Sequence, residues 1–160
     1  MENIEGLSKF ESDAVRLFLQ SAVFMREAEN LANKALRLTH KRGHAKEAGT
    51  ACFSWLFQQS VGVCSSSVIM ATLLDIRQRA PAGEERMSIW AAMADEIAML
   101  QISAKRSEEI ARTWSESAKA LEVMGAANAW ASVAHGATMA GNLVDAFRSA
   151  ACILSRGEKP

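Results

Sequence analysis

From Ala48 to Leu74 the chain reads AGTACFSWLFQQSVGVCSSSVIMATLL and carries no charged residue. Charges close in on both sides: Lys41, Arg42, Lys46 and Glu47 precede it, and Asp75, Arg77 and Arg79 follow. As a helix, its roughly 27 residues at ~1.5 Å each extend about 40 Å, long enough to cross a hydrocarbon core. Its polar load is high for that role. Ser54, Gln58, Gln59, Ser60, Ser65, Ser66, Ser67 and Thr72 interrupt the apolar run. In hydrocarbon each glutamine amide would need a partner or cost several kcal/mol. The stretch is therefore expected to lie buried in protein, as the central helix of a bundle, entering a membrane only when its partners release it. Whole-chain mean hydropathy near zero points the same way.

The rest of the chain reads as helix too. Two prolines, no tyrosine and abundant alanine in 160 residues argue for a single all-α domain. Residues 1–11 read as a flexible N-terminus. Ser12 or Asp13 can cap a first helix over about 12–41. Its apolar face runs through Ala14, Leu17, Phe18, Ser21, Met25, Ala28, Ala32, Ala35 and Leu36. Gly43, after His40-Lys41-Arg42, suits the C′ position. A second helix, about 44–79, contains the uncharged stretch and ends at Ala80-Pro81-Ala82-Gly83.

A third helix, about 84–123, carries Trp90, Met93, Ile97, Leu100, Ala104, Ser107, Ala111, Trp114, Ala118 and Leu121 at alternating steps of three and four. That is a heptad seam, expected to pack helices together or to form the core of an oligomer. Gly125 reads as a corner before a fourth helix, about 126–155, rich in alanine and glycine and uncharged from Val123 to Val144 apart from His135. Residues 156–160 form a tail. The expected fold is an elongated antiparallel four-helix bundle of two αα-hairpins, with the second and fourth helices most buried.

Candidate chemistry is sparse. His40, His44 and Glu47 have helical metal-ligand spacing, but Gly43 interrupts them and Lys41, Arg42 and Lys46 repel a cation. His135, among alanines, reads as a hydrogen-bonded core histidine. Asp95-Glu96 and Glu108-Glu109 are neighbours on a helix and diverge by about 100°, so they do not converge on one atom. Ser65-Ser66-Ser67 lacks a nucleophile elbow and is expected to back-bond to carbonyls. No Glu-x-x-His pair and no Gly-rich phosphate loop is present. Cys52, Cys64 and Cys152 read as buried free thiols. Trp55, Trp90, Trp114 and Trp130, with eight methionines, fill a core or form an adaptable contact surface. The cations Lys34, Arg37, Lys41, Arg42 and Lys46 either complement a helix terminus or offer anionic lipid a landing site, as basic flanks of membrane segments do.

The order of segments resembles the smaller hydrophobic translocators of type III secretion systems. An amphipathic helix leads into Ala45-Lys46-Glu47-Ala48-Gly49-Thr50 and an uncharged Ser/Gly-containing segment. A charged coiled-coil helix and an alanine-rich helix follow. The resemblance covers about 12–150 and implies export without a cleaved signal, a chaperone, and assembly at a host membrane. The chain departs from that family in its shortness, in having only Gly49 and Gly62 in the apolar stretch, and in its cysteines.

Zero net charge removes whole-protein electrostatic binding of nucleic acid and favours self-association. MENIEGLSKFESD has neither a basic n-region nor an apolar h-region, so the expected location is the cytosol, with any export by another route. The expected function is non-enzymatic: contacts with a second copy, a helical protein partner or an anionic membrane, with Lys41, Arg42 and Lys46 as the lipid or phosphate contact. No cofactor or metal is expected. The alternative is a soluble bundle enzyme or ligand-binding protein with its site between helices.

Overall fold

The computed structural model describes residues 4–79 and 82–157 and shows an all-α antiparallel four-helix bundle with no strand among those residues. The helices are α1 (Lys9–Lys41), α2 (Ala45–Arg79), α3 (Glu84–Ala120) and α4 (Met124–Ser155). Each packs on its neighbours in the ring α1–α2–α3–α4, and α4 closes the ring against α1. The expected break at Ala80-Pro81 and the last three residues of the tail lie outside the described residues.

Helix α1 begins three residues earlier than its apolar pattern suggests, because Ser8 caps it. The Ser8 hydroxyl accepts from the Glu11 N–H at 3.3 Å, and the Glu11 carboxylate accepts from the Ser8 N–H at 2.8 Å. This is a capping box, legible as Ser8-Lys9-Phe10-Glu11. Ser12, expected as a cap, is instead buried and accepts the Ile4 N–H at 3.1 Å. Ile4 and Leu7 pack against the core, so the described part of the N-terminal segment is docked.

Two turns share one mechanism. After α1, the N–H of Gly43 bonds to His40 and that of His44 to Thr39; after α3, Glu122 bonds to Lys119 and Val123 to Ala118. Both are Schellman closures. Gly43 fills the left-handed position at φ +91°, but Glu122 fills it after α3 at φ +58°. The corner therefore stands at Glu122, not at Gly125. Gly125 lies inside α4, where an added Cβ would sit 3.3 Å from Leu38 Cδ1.

Two apolar cores fill the bundle. One joins Phe18, Ile69, Ile76, Trp90, Ile97 and Phe147; the other joins Ala32, Ala35, Trp55, Ala111, Trp130 and Val133. Between them lies a waist of small and polar groups. Ser21, Gln58, Ser65, Ser103 and Ser107 are buried there, and Gly62 passes so close to α3 that a Cβ would meet Ser103 Oγ at 3.0 Å.

Helix α4 is the most buried, as expected, and packs on both α1 and α3. Its Gly136 comes within ordinary contact of Ala28 and the Phe24 carbonyl, and its Gly141 does the same at Ala104. Helix α2 reverses the expectation. It shares the thinnest interface, with α1, and only 22% of its most apolar window is buried.

At one end of the bundle a buried carboxylate ties three segments together. Glu11 accepts from Arg86 Nε at 2.7 Å, Arg86 Nη2 at 2.5 Å and Trp90 Nε1 at 2.8 Å, and Arg86 also donates to the Gly6 carbonyl. Burial opposes ionisation, but the hydrogen bonds from Arg86, Ser8 and Trp90 outweigh it and hold the carboxyl below its ordinary value. A depressed folded pKa gives stability that is present above the unfolded value and lost as pH falls through the folded one. Wild-type stability, measured by denaturant titration, should therefore fall below about pH 4.3. Glu11→Ala at neutral pH should cost about 3–5 kcal/mol by removing the carboxylate to which the Arg86 guanidinium and the buried Trp90 N–H bond.

Candidate functional site: the outer face of helix α2

Helix α2 touches the bundle through one narrow seam. Ala48, Ala51, Trp55, Gln58, Ser65, Ile69, Leu73 and Ile76 are buried, at steps of three, four and seven. This seam collects the amides. Gln58 is 3% exposed and its backbone carbonyl accepts the Ser103 hydroxyl at 3.1 Å, while the Gln59 side-chain amide donates through Nε2 to Ser107 Oγ at 3.4 Å. Trp55, 2% exposed, stacks edge-on against Trp130, and its indole N–H has no acceptor among the described residues. An orphaned buried donor costs about 1–3 kcal/mol, so the seam holds α2 less firmly than its length suggests.

The opposite face is apolar and open. Phe53 is 75% exposed, and Leu56, Phe57, Val63, Val68, Met70 and Leu74 are exposed with it. The hydroxyls beside them are already bonded: Thr50, Ser54, Ser60, Ser67 and Thr72 each donate to the carbonyl four residues back, at 2.8–3.0 Å. Side-chain hydroxyls satisfied in this way lose little when water is removed. The expectation that polar load keeps 48–74 buried in protein fails for this reason: the amides turn inward, the hydroxyls close on their own helix, and the bulky apolar groups point out.

Along the waist, α1 and α2 part to leave a groove of about 350 Å³. Leu100, Ala104, Ala140 and Val144 form its floor, Met25 and Met70 its walls, and Arg26 and Glu29 stand on its rim. A cleft of this size lies at the lower end of the range for small-molecule sites, roughly 300–1,000 Å³.

The structure sorts the sequence candidates plainly. In the α3 seam Trp90, Met93, Ile97, Leu100, Ala104, Ser107, Ala111 and Ala118 are buried inside this chain, and Trp114 and Leu121 pack half-buried against the second core. This seam is filled within the chain; most of the exposed large apolar side chains among the described residues belong to α2, with Leu19, Val23, Met99, Ile102 and Met124 exposed on the other helices. Lys41, Arg42 and Lys46 are exposed at the corner where α2 begins. Lys41 and Arg37 line a shallow depression there with Ala45, Ala48 and Gly49.

His40 and His44 are parted by the Gly43 turn, and His44 Nδ1 stands 3.9 Å from Glu47. His135 is exposed on α4, not in the core. Cys64 is exposed on α2, whereas Cys52 and Cys152 are half-buried. Among the described residues no three His, Cys, Asp or Glu side chains converge as a metal site would require. Comparison with protein-family models, with curated proteins and with solved structures finds no match.

The two apolar surfaces predict opposite mutational outcomes. Ala111 is fully buried, so Ala111→Glu should destabilise the monomer by about 3 kcal/mol or more at any protein concentration. Phe53→Ser with Phe57→Ser removes only exposed surface and should shift denaturant stability by no more than about 0.5 kcal/mol per site.

Proposed function

We propose that this protein is a non-enzymatic helical bundle that acts by docking the outer face of α2 on an apolar surface outside the chain. One observation carries the reading: α2 buries Gln58, bonds Gln59 to Ser107 of α3 and sends its large apolar side chains out. Contiguous exposed apolar surface of this kind marks interaction sites in folded proteins. Burying a side chain such as Phe53 against an apolar partner contributes about 1.5–3 kcal/mol, so a few anchors from Phe53, Leu56, Phe57 and Val63 suffice for a reversible contact.

Self-association and contact with a partner helix both use this face, and zero net charge favours the first. The likeness to type III translocators extends the reading to an exported protein that meets a membrane through α2. Length and composition of α2 suit that extension, since the helix is long and apolar enough to cross one. The groove at the waist supports a second reading, a small apolar ligand held between α1 and α2.

The test is exposure of the pure protein to uncharged detergent micelles, together with sedimentation over a dilution series. The wild type should gain micelle mass or self-associate, and Phe53→Asp with Phe57→Asp should do neither while keeping its helix content. A wild type that stays monomeric and free of micelles would remove the docking reading.

A further inference from the structure

We infer that the surface met by α2 is an anionic lipid bilayer, engaged by Phe53, Leu56 and Phe57 together with the exposed cations Lys41, Arg42 and Lys46. This rests on the docking reading above and names its partner.

The bulkiest exposed side chains cluster at one end of the face, and that end is the basic one. Phe53 and Phe57 follow Lys46 by about 10–17 Å along the helix, so a helix lying in the plane of an interface presents the cation and both rings to the same surface. Exposed Lys34, Arg37, Lys41, Arg42 and Lys46 surround this end; the half-buried Glu47 stands beside His44, and at the neighbouring end of α3 Glu116 pairs with Lys119 and Glu122 is exposed, so cations are in excess. The far end is balanced. Arg79 pairs with Asp75 at 2.7 Å and Arg77 with Glu5 at 3.7 Å.

This asymmetry chooses between occupants. A second copy packed parallel on α2 would set basic end on basic end. Packed antiparallel, it would set the basic end on the balanced one. Neither supplies the anions that Lys41, Arg42 and Lys46 lack, whereas an anionic headgroup layer does so beside an apolar interior. Basic residues at such a surface attract it strongly, and salt screens the attraction.

The same geometry favours flat docking over insertion. Turning the seam toward lipid would strip Gln59 from Ser107 and Ser103 from the Gln58 carbonyl. Lying flat keeps both bonds, leaves Trp55 in the bundle and places exposed Cys64 at the lipid boundary.

The experiment is flotation with vesicles of phosphatidylcholine alone or mixed with phosphatidylserine, using an environment-sensitive fluorophore on Cys64 in a Cys52→Ser, Cys152→Ser background. The protein should float only with the mixed vesicles and leave them as salt rises. The Cys64 probe should shift to the blue while aqueous quenching of tryptophan stays unchanged. Lys41→Gln, Arg42→Gln and Lys46→Gln together should weaken partitioning roughly a hundredfold, about fivefold for each cation. Phe53→Ser with Phe57→Ser should abolish it.

Equal binding to neutral vesicles overturns the inference. So does failure to float in a protein that still self-associates or takes up uncharged micelles, an outcome that leaves the docking reading standing. Loss of all three behaviours removes both.

Discussion

The close approach of α4 to both α1 and α3 is the constraint on which the rest of the bundle depends. Gly125, Gly136 and Gly141 stand against Leu38, Ala28 and Ala104, and alanines fill the positions between. Small side chains let helix backbones come near, so dispersion contacts form along their length and no large group has to be accommodated. The apolar faces of α1 and α3 are consumed mainly by α4. Helix α2 is left with the narrow remainder and occupies the side of the bundle where α1 is held most loosely.

What α2 does with that position explains its composition. A helix buried on one stripe ordinarily sends apolar groups in and polar groups out. Here the seam takes Gln58 and Ser65, and the outer face keeps Phe53, Leu56, Phe57 and Val63. The inversion lies at the waist, where Ser107 accepts from the Gln59 amide, Ser103 donates to the Gln58 backbone carbonyl, and the cores above and below are interrupted. A polar waist and an apolar exterior are two sides of one arrangement: the groups that would forbid contact with hydrocarbon are the ones the bundle turns inward.

The Glu11 cluster has a different task. The carboxylate caps its own helix, holds Arg86 and Trp90 of α3, and through Arg86 fixes the Gly6 carbonyl. Removing a single partner from such a network leaves a buried charge without compensation. The described N-terminal segment is thereby fastened to the end of the bundle opposite the basic corner, and the exposed apolar face of α2 is carried on a scaffold anchored at its far end.

By itself the sequence determined four helices, their order and their approximate limits, because a three-four spacing of apolar residues and a Gly-containing turn act over a few residues of chain; the cap of α1, expected at Ser12 or Asp13, stands at Ser8. It also determined that Trp90, Ile97, Ala104 and Ala111 share a face, since that follows from helical geometry alone. Only the tertiary structure decided which faces are covered. The uncharged run from Ala48 to Leu74 holds enough apolar groups for burial and enough polar ones for exposure, and its wheel does not say which side turns inward. Packing settles it through residues far away in the chain: Ser103 and Ser107 receive the seam of α2, and the glycines of α4 take the interior that α2 was expected to fill. The left-handed corner fell to Glu122 for the same kind of reason, because burying Val123 against the second core fixes where α3 must stop.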